Sequence, residues 1–331
     1  MILGTLVFFL SLLISIYGTP IIRNISIRYG ILDKPNGILK IHPEPIPYLG
    51  GISVFVSFLI PLLLIYDFNK KELGMLLGGS IIIILGLIDD IGGLTPYIKF
   101  FGQILAGYIL IKSGVFINII FIPAPFDYII TFLWIIGTIN AFNFIDIIDG
   151  FASGIAIIAA FFLLFFSIID GKTEIAIFCT ALIGSILGFL KYNYPPANIY
   201  LGDTGSMFIG FILGSLMIPI SYTKYNFLGF INPLLILGVP LFEIIFVSLI
   251  RTSKGKSPLI GSKDHFPLRL KKKFNLSTKQ LINILFIIAF FLGLASIFNY
   301  YLSLNSSVIL LSIILIIFIL SGIMLSKIKM E

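Results

Sequence analysis

The stretch Asn140-Ala141-Phe142-Asn143-Phe144-Ile145-Asp146-Ile147-Ile148-Asp149-Gly150 puts two amides and two carboxylates at the end of a long apolar run. On a helix, Asn140, Asn143 and Asp146 fall three apart and share one face, Asp149 extends the row, and Gly150 permits a break. Oxygen-rich side chains at the edge of an apolar segment cost desolvation energy unless a cation offsets it. A simply hydrated helix end gives the same row, so the stretch has to be weighed with others. Asp89-Asp90-Ile91-Gly92-Gly93-Leu94 closes an earlier apolar run. Adjacent acids point different ways on a helix and repel, so both serve one cation only where the helix ends or turns. Leu201-Gly202-Asp203-Thr204-Gly205-Ser206 opens a later run with the residues of a helix start, an arrangement that caps a helix or, with a metal joining Asp203, cradles phosphate.

Two loops add basic groups. Lys40-Ile41-His42-Pro43-Glu44-Pro45-Ile46-Pro47 is stiffened by its prolines, and Lys40 and His42 are candidate contacts for an anionic ligand. Between Arg251 and Lys279 lie Lys254, Lys256, Lys263, His265 and Arg269, followed by Lys271-Lys272-Lys273. The lysine triplet fits a lipid-headgroup contact. The segment from Lys256 to Arg269, with its turn residues and donors, fits a shaped site. Glu243 lies inside the preceding apolar run, where an acid is functional or paired.

The elements that must hold these residues are membrane helices. Of the 331 residues 58% are hydrophobic and only 11% charged, against about 45–50% and about 25% in soluble domains. The runs are near 20 residues long, as α-helical spans require. Eleven are expected, near 2–22, 49–66, 73–88, 98–112, 126–145, 151–169, 174–190, 206–222, 231–250, 280–300 and 307–325. The loops after odd-numbered spans, with the C-terminus, hold 17 of the 22 Lys and Arg, which puts the N-terminus outside and the C-terminus in the cytoplasm. The net charge of +7 thus reads as orientation, not nucleic-acid binding. The single Cys179, in an apolar run, excludes a disulfide framework and a cysteine metal site. Asp89, Asp90, Asp146, Asp149 and Asp203 all fall on the cytoplasmic side with little basic company, which implies a divalent cation in all-oxygen ligation, Mg²⁺ or alternatively Mn²⁺.

Together the motifs resemble the polyprenyl-phosphate N-acetylhexosamine-1-phosphate transferase family, glycosyltransferase family 4. The matches are Asp89-Asp90 with Gly93-Leu94, the Asn140/Asn143/Asp146/Asp149-Gly150 series, Gly202-Asp203-x-Gly205-Ser206, and the basic loop with His265. His42-Pro43-x-Pro45-x-Pro47-x-x-Gly50-Gly51 looks like the undecaprenyl-phosphate GlcNAc-1-phosphate branch rather than the phospho-MurNAc-pentapeptide branch. The resemblance implies one integral membrane domain over residues 1–331, whose loops 23–48, 89–97, 146–150, 191–205 and 251–279 form the active site. It further implies Mg²⁺-dependent transfer of a sugar 1-phosphate from a UDP-N-acetylhexosamine to polyprenyl phosphate with release of UMP, among membrane lipids and with a homodimer left open. Asp203, helped by Asn143, is the expected metal ligand. Asp89 or Asp90 faces the lipid phosphate, as an orienting group or, less favoured, a base, and Asp146 and Asp149 position the nucleotide sugar or metal shell. His265 with Arg269 holds diphosphate oxygens; Lys40, His42, Asn140 and Lys256 complete the candidate substrate contacts. The family's loop usually carries two or three histidines, whereas only His265 stands here, and Glu243 replaces a frequent Asp. A cation-coupled transporter would place its acids near the bilayer midplane, not at one face.

Overall fold

A computed structural model describes residues 2–33, 45–119, 123–257 and 263–330. These fall into two compact units, residues up to 220 and residues from 221 onward.

The first unit contains α1 (Ile2–Arg28), a two-residue antiparallel pair β1 (Leu32–Asp33) and β2 (Ile46–Pro47), then α2 (Gly50–Ile65), α3 (Lys70–Gly92), α4 (Pro96–Lys112), α5 (Ala124–Ile145), α6 (Phe151–Ile169), α7 (Thr173–Asn193) and α8 (Gly202–Met217). Local chemistry sets several ends. Asn69 caps α3, its Oδ1 accepting from Lys71 N at 2.8 Å while Glu72 Oε2 accepts from Asn69 N at 2.7 Å. Thr95 and Pro96 open α4. Gly150, at φ +70°, ends the turn between α5 and α6. Helix α8 is the centre of this unit: every residue from Thr204 to Met217 is buried, and it packs against α2, α3, α5 and α6. A helix apolar on all sides belongs inside a bundle. Helix α1 turns a stripe of small polar residues to its neighbours, with Ser15 Oγ donating to Ser185 O of α7 at 2.6 Å and Thr19 bonded to Ser53 of α2 at 2.7 Å. In lipid, close packing of small residues and such hydrogen bonds replace the hydrophobic drive between helices.

The second unit begins with a 3₁₀ turn (Phe227–Ile231) and α9 (Asn232–Ile236), then α10 (Gly238–Ser253), α11 (Phe266–Phe274), α12 (Thr278–Tyr301) and α13 (Leu304–Ser326). The run expected as one ninth span is broken: residues 227–236 and α10 meet at 75°. Pro233 and Pro240 each remove a backbone donor on either side of the bend. Buried amides hold the break, with Asn299 Nδ2 donating to Asn232 Oδ1 at 2.8 Å and to Leu228 O at 3.1 Å. Helix α13 buries only Ser307 and Leu325, leaving an apolar surface suited to lipid.

All eleven expected apolar runs are helical, and the fold is α-helical and polytopic as anticipated. Among the described residues seven helices are long and apolar enough to cross a membrane, eight if the bent pair counts as one. The runs at 49–66, 98–112 and 206–222 form shorter helices of 16, 17 and 16 residues. The third run, expected to be short, extends to 23 residues because the Asn69 cap starts it early and the acids are taken into its last turn.

The contact between α3 and α8 leaves no room for a side chain. A Cβ on Gly86 would lie 2.5 Å from Thr204 Cα and 2.6 Å from Thr204 N. Gly86→Ala is therefore expected to lower the thermal unfolding temperature, at a cost of about 1–3 kcal/mol typical of overpacking. Gly137→Ala, in α5 with nothing within 4 Å of its Cβ, is expected not to destabilise.

Candidate active site

One end of the first unit gathers the carboxylates. Asp89 and Asp90, in the last turn of α3, do face different partners. Asp89 Oδ1 accepts Leu94 N at 2.6 Å, holding the turn into α4, and its other oxygen pairs with Lys99 Nζ. Asp90 reaches across to the start of α8: Oδ1 accepts Asp203 N at 2.9 Å, and Oδ2 accepts Thr204 N at 3.0 Å and Thr204 Oγ1 at 2.6 Å. A carboxylate on the free amides of a helix N-terminus is well placed for both hydrogen bonding and the helix dipole. Gly202, at φ +74°, admits this approach, since a Cβ there would stand 2.5 Å from Asp90 Oδ2.

The Asp203 carboxylate receives two side-chain donors. Lys99 Nζ lies 2.6 Å from its Oδ2, bridging it to Asp89, and Asn143 Nδ2 lies 2.9 Å from its Oδ1. Asn143 also reaches Ser206 Oγ at 3.2 Å. Asp203 keeps 28% of its side-chain surface exposed, against 12% for Asp89, so it is the more open of the two. Lys99, on α4, is the bridge between two of the acids, a role that its place in the sequence does not show.

The row expected from Asn140 to Asp149 is split. Helix α5 ends at Ile145, so Asp146 is its C-terminal cap and accepts the Gly202 N–H. Asp149, beyond the helix, accepts Ala197 N at 2.9 Å. Asn193 knits this corner, accepting Gly150 N at 3.1 Å and Ser153 Oγ at 3.0 Å while donating to Ile199 O at 3.0 Å. Asn140 points elsewhere: its amide donates to Gln103 Oε1 of α4 at 2.9 Å, a pairing deeper in the bundle than the acids. The segment after β2 runs beside the Asp203 loop, with Tyr200 N donating to Pro47 O at 2.9 Å and Gly50 N to Tyr200 O at 3.0 Å. Tyr48 and Tyr200 face each other there at 6.1 Å between ring centres. Burial, then hydrogen bonding to Asp33, raises the pKa of Tyr48, which stays neutral. Lys40 and His42 lie outside the described residues.

Among the described residues no three His, Cys, Asp or Glu side chains form a ready-made metal cage. Mg²⁺ does not need one, since it is commonly held by one or two carboxylates together with waters and substrate phosphates. The partly open Asp203, its amide neighbour Asn143 and the surplus of hard oxygens fit that mode of binding, and the ammonium of Lys99 already marks the position as one that attracts positive charge.

The chain matches the model of Glycosyl transferase family 4 over residues 73–221. It is 32% identical over 300 residues to the probable undecaprenyl-phosphate N-acetylglucosaminyl 1-phosphate transferase of Bacillus subtilis (strain 168), an alignment covering 88% of this chain and 83% of that protein. The chain belongs to glycosyl transferase family 4. It is also 30% identical to the decaprenyl-phosphate N-acetylglucosaminephosphotransferase of Mycolicibacterium smegmatis, over 78% of this chain and 73% of that one. With the undecaprenyl-phosphate alpha-N-acetylglucosaminyl 1-phosphate transferase of Escherichia coli (strain K12) it shares 26% over 73% and 70% of the two chains. The segment matched to the glycosyl transferase family 4 model contains the whole acidic cluster around Asp203.

The second unit of this glycosyl transferase family 4 chain has a charged cluster of its own. Glu243, fully buried on α10, pairs with His265 Nδ1 and accepts Phe266 N at 3.1 Å, which fixes the start of α11. Asp264 pairs with Arg269 at 2.7 Å and Lys254 at 2.5 Å. Arg269 was expected to be open to diphosphate oxygens. It is instead 1% exposed, its guanidinium also donating to Asp264 O at 3.2 Å and to the carbonyls of Leu325, Ser326 and Ile328 at 3.1, 3.3 and 2.5 Å. Carbonyls at a helix C-terminus draw a guanidinium inward, and here they tie α11 to the end of α13. Lys256 is exposed.

Asp146 carries a pH signature. Burial first, then the charges of Asp203, Asp90 and Asp149, raise its pKa well above the usual carboxylate range, against the opposing Gly202 N–H. The folded state therefore holds this proton more tightly than the unfolded one. The stability it contributes is present below the ordinary carboxylate pKa and is lost as pH rises through the raised value. In chelator, the unfolding temperature is expected to fall as pH rises above the ordinary carboxylate pKa, and Asp146→Asn to flatten that slope in a thermal-shift series.

Proposed function

We propose that this chain transfers N-acetylglucosamine 1-phosphate from a UDP-sugar to undecaprenyl phosphate or a similar polyprenyl phosphate, releasing UMP. The support comes from relatives whose names carry the transferred group and the polyprenyl-phosphate acceptor and, above all, from one observation. Carboxylates from α3 and α8, with the α5 cap, meet at a single helix-end cluster around Asp203, bridged by Lys99. Such a cluster suits two phosphorylated substrates whose negative charge has to be neutralised before their oxygens can approach.

Asp203, with Asn143 beside it, would hold Mg²⁺ or Mn²⁺, which when bound neutralises the diphosphate and orients it for in-line displacement. Asp90 contributes indirectly, by fixing the first turn of α8 and hence the direction of the Asp203 side chain. Lys99 offers a positive charge to an incoming phosphate, and Asp89 holds that ammonium in place. Proton removal by Asp89 or Asp90 contributes little, because a phosphate monoester with its second pKa near ~6 is already mostly dianionic at neutral pH. Asp146 and Asp149 brace the turn after α5, and Asn143 links it to Asp203. The sidedness of Lys and Arg supports a cytoplasmic setting for this end of the unit. A UDP-sugar is soluble there, and a polyprenyl phosphate keeps its head at that interface.

The test is UMP release by purified protein given undecaprenyl phosphate, Mg²⁺ and a panel of UDP-sugars. UDP-N-acetylglucosamine is expected to be the preferred donor, and Asp203→Asn to lower turnover at least ~100-fold, as loss of a charge-stabilising group does, with unchanged thermal unfolding in chelator. Turnover by that variant near the native rate would overturn the role given to Asp203.

A further inference from the structure

The opposite end of the first unit holds a feature that the transfer reaction does not use. A cavity of about 390 Å³ is lined by Asn69, Lys70, Lys71, Glu72, Met75, Ser113, Lys172, Glu174, Ile175 and Pro219. Its walls are the first turns of α3 and α7, the residue after α4 and the chain just past α8. Helix α3 runs from this cavity to Asp89 and Asp90; at 1.5 Å per residue the step from Lys70 to Asp90 spans roughly 30 Å, the thickness of a bilayer core. The cavity thus lies at headgroup level on the face away from the acidic cluster.

That face is poor in basic residues: the loops assigned to it hold five of the 22 Lys and Arg, all lysines. Three of the five, Lys70, Lys71 and Lys172, line this one cavity. Among the described residues none of the three ammonium groups has an ion-pair or aromatic partner. The other two do: Lys112 stacks over Tyr108 at 5.6 Å and Lys224 over Tyr225 at 5.6 Å. Of the two acids in the wall, Glu72 is 2% exposed and tied to Asn69 N, leaving Glu174 against three lysines. The first turn of α7 has no side-chain cap, so its amides add partial positive charge to the same wall.

We propose that this cavity binds a phosphate group, with Lys70, Lys71 and Lys172 as its cationic contacts, presented by the headgroup of an anionic lipid or as a free phosphate anion. The volume suits a glycerophosphate headgroup, being within the range of small-ligand sites. The depth favours a lipid, whose phosphate sits where α3 and α7 begin.

The experiment compares thermal unfolding of the full chain in phosphatidylglycerol and in phosphatidylcholine nanodiscs, and in detergent with and without inorganic phosphate. Native protein is expected to unfold at a higher temperature in phosphatidylglycerol, and K70Q/K71Q/K172Q to lose most of that difference. K112Q/K224Q, which removes two lysines outside the cavity, is expected to keep it. Stabilisation by inorganic phosphate in detergent that the triple variant loses would identify the free anion as the occupant and equally supports the site. An equal loss in both variants, or native behaviour of the triple variant in both the lipid and the phosphate arms, overturns the proposal. Should the triple variant not fold, K172Q alone carries the comparison, with a partial loss expected and none overturning it.

Discussion

A carboxylate set against the first amides of a helix is held from two directions, by hydrogen bonds to groups with no partner inside the helix and by the helix dipole. Asp90 does this across a helix–helix contact rather than along the chain. It belongs to the end of α3, yet it fixes the beginning of α8, and α8 is the buried rod around which the first unit packs. The direction of Asp203, its bond to Asn143 and its bridge through Lys99 to Asp89 all follow from that seating. Two adjacent acids thereby separate into different tasks, one anchoring a helix and the other facing a cation.

Charge balance explains the remainder of the site. Four carboxylates gather near Asp203 with one lysine among them. Burial first, then the neighbouring carboxylates, raises the cost of ionising Asp146, the most hemmed in of the four. An oxygen-lined site with an unmet demand for positive charge is suited to a divalent ion arriving with phosphates, and less suited to one held permanently. The second unit treats its charges differently: Asp264 and Arg269 satisfy each other and the end of α13, so they stiffen the architecture around the Glu243–His265 pair.

Much of this was legible beforehand because lipid is an exacting solvent. Apolar runs had to be helices, and acids at their ends had to find cations, so the elements and the grouping of Asp89, Asp90, Asn143, Asp146 and Asp203 could be read from residue types and spacing. What stayed hidden depended on three-dimensional partners. Asn140 shares the helical face of Asn143, but Gln103 from α4 meets it first. Arg269 carries the same charge as an open phosphate-binding arginine, and Asp264 with the carbonyls at the end of α13 decides that it is sealed. Lys99 became part of the site only through its two partners, Asp89 and Asp203. The bend at Leu237 was missed, because the run from 231 to 250 is predominantly apolar even though Pro233 and Pro240 flank the break.

The bare contact at Gly86 bears on how this scaffold can vary. Gly86 meets the backbone of Thr204, and Asp90, one turn further on, bonds that same residue. Adding or removing one residue between them would rotate the acid by about 100° around α3 and carry it off the seam. The interval from Gly86 to Asp90 works as a fixed ruler whose length the chain has no freedom to edit.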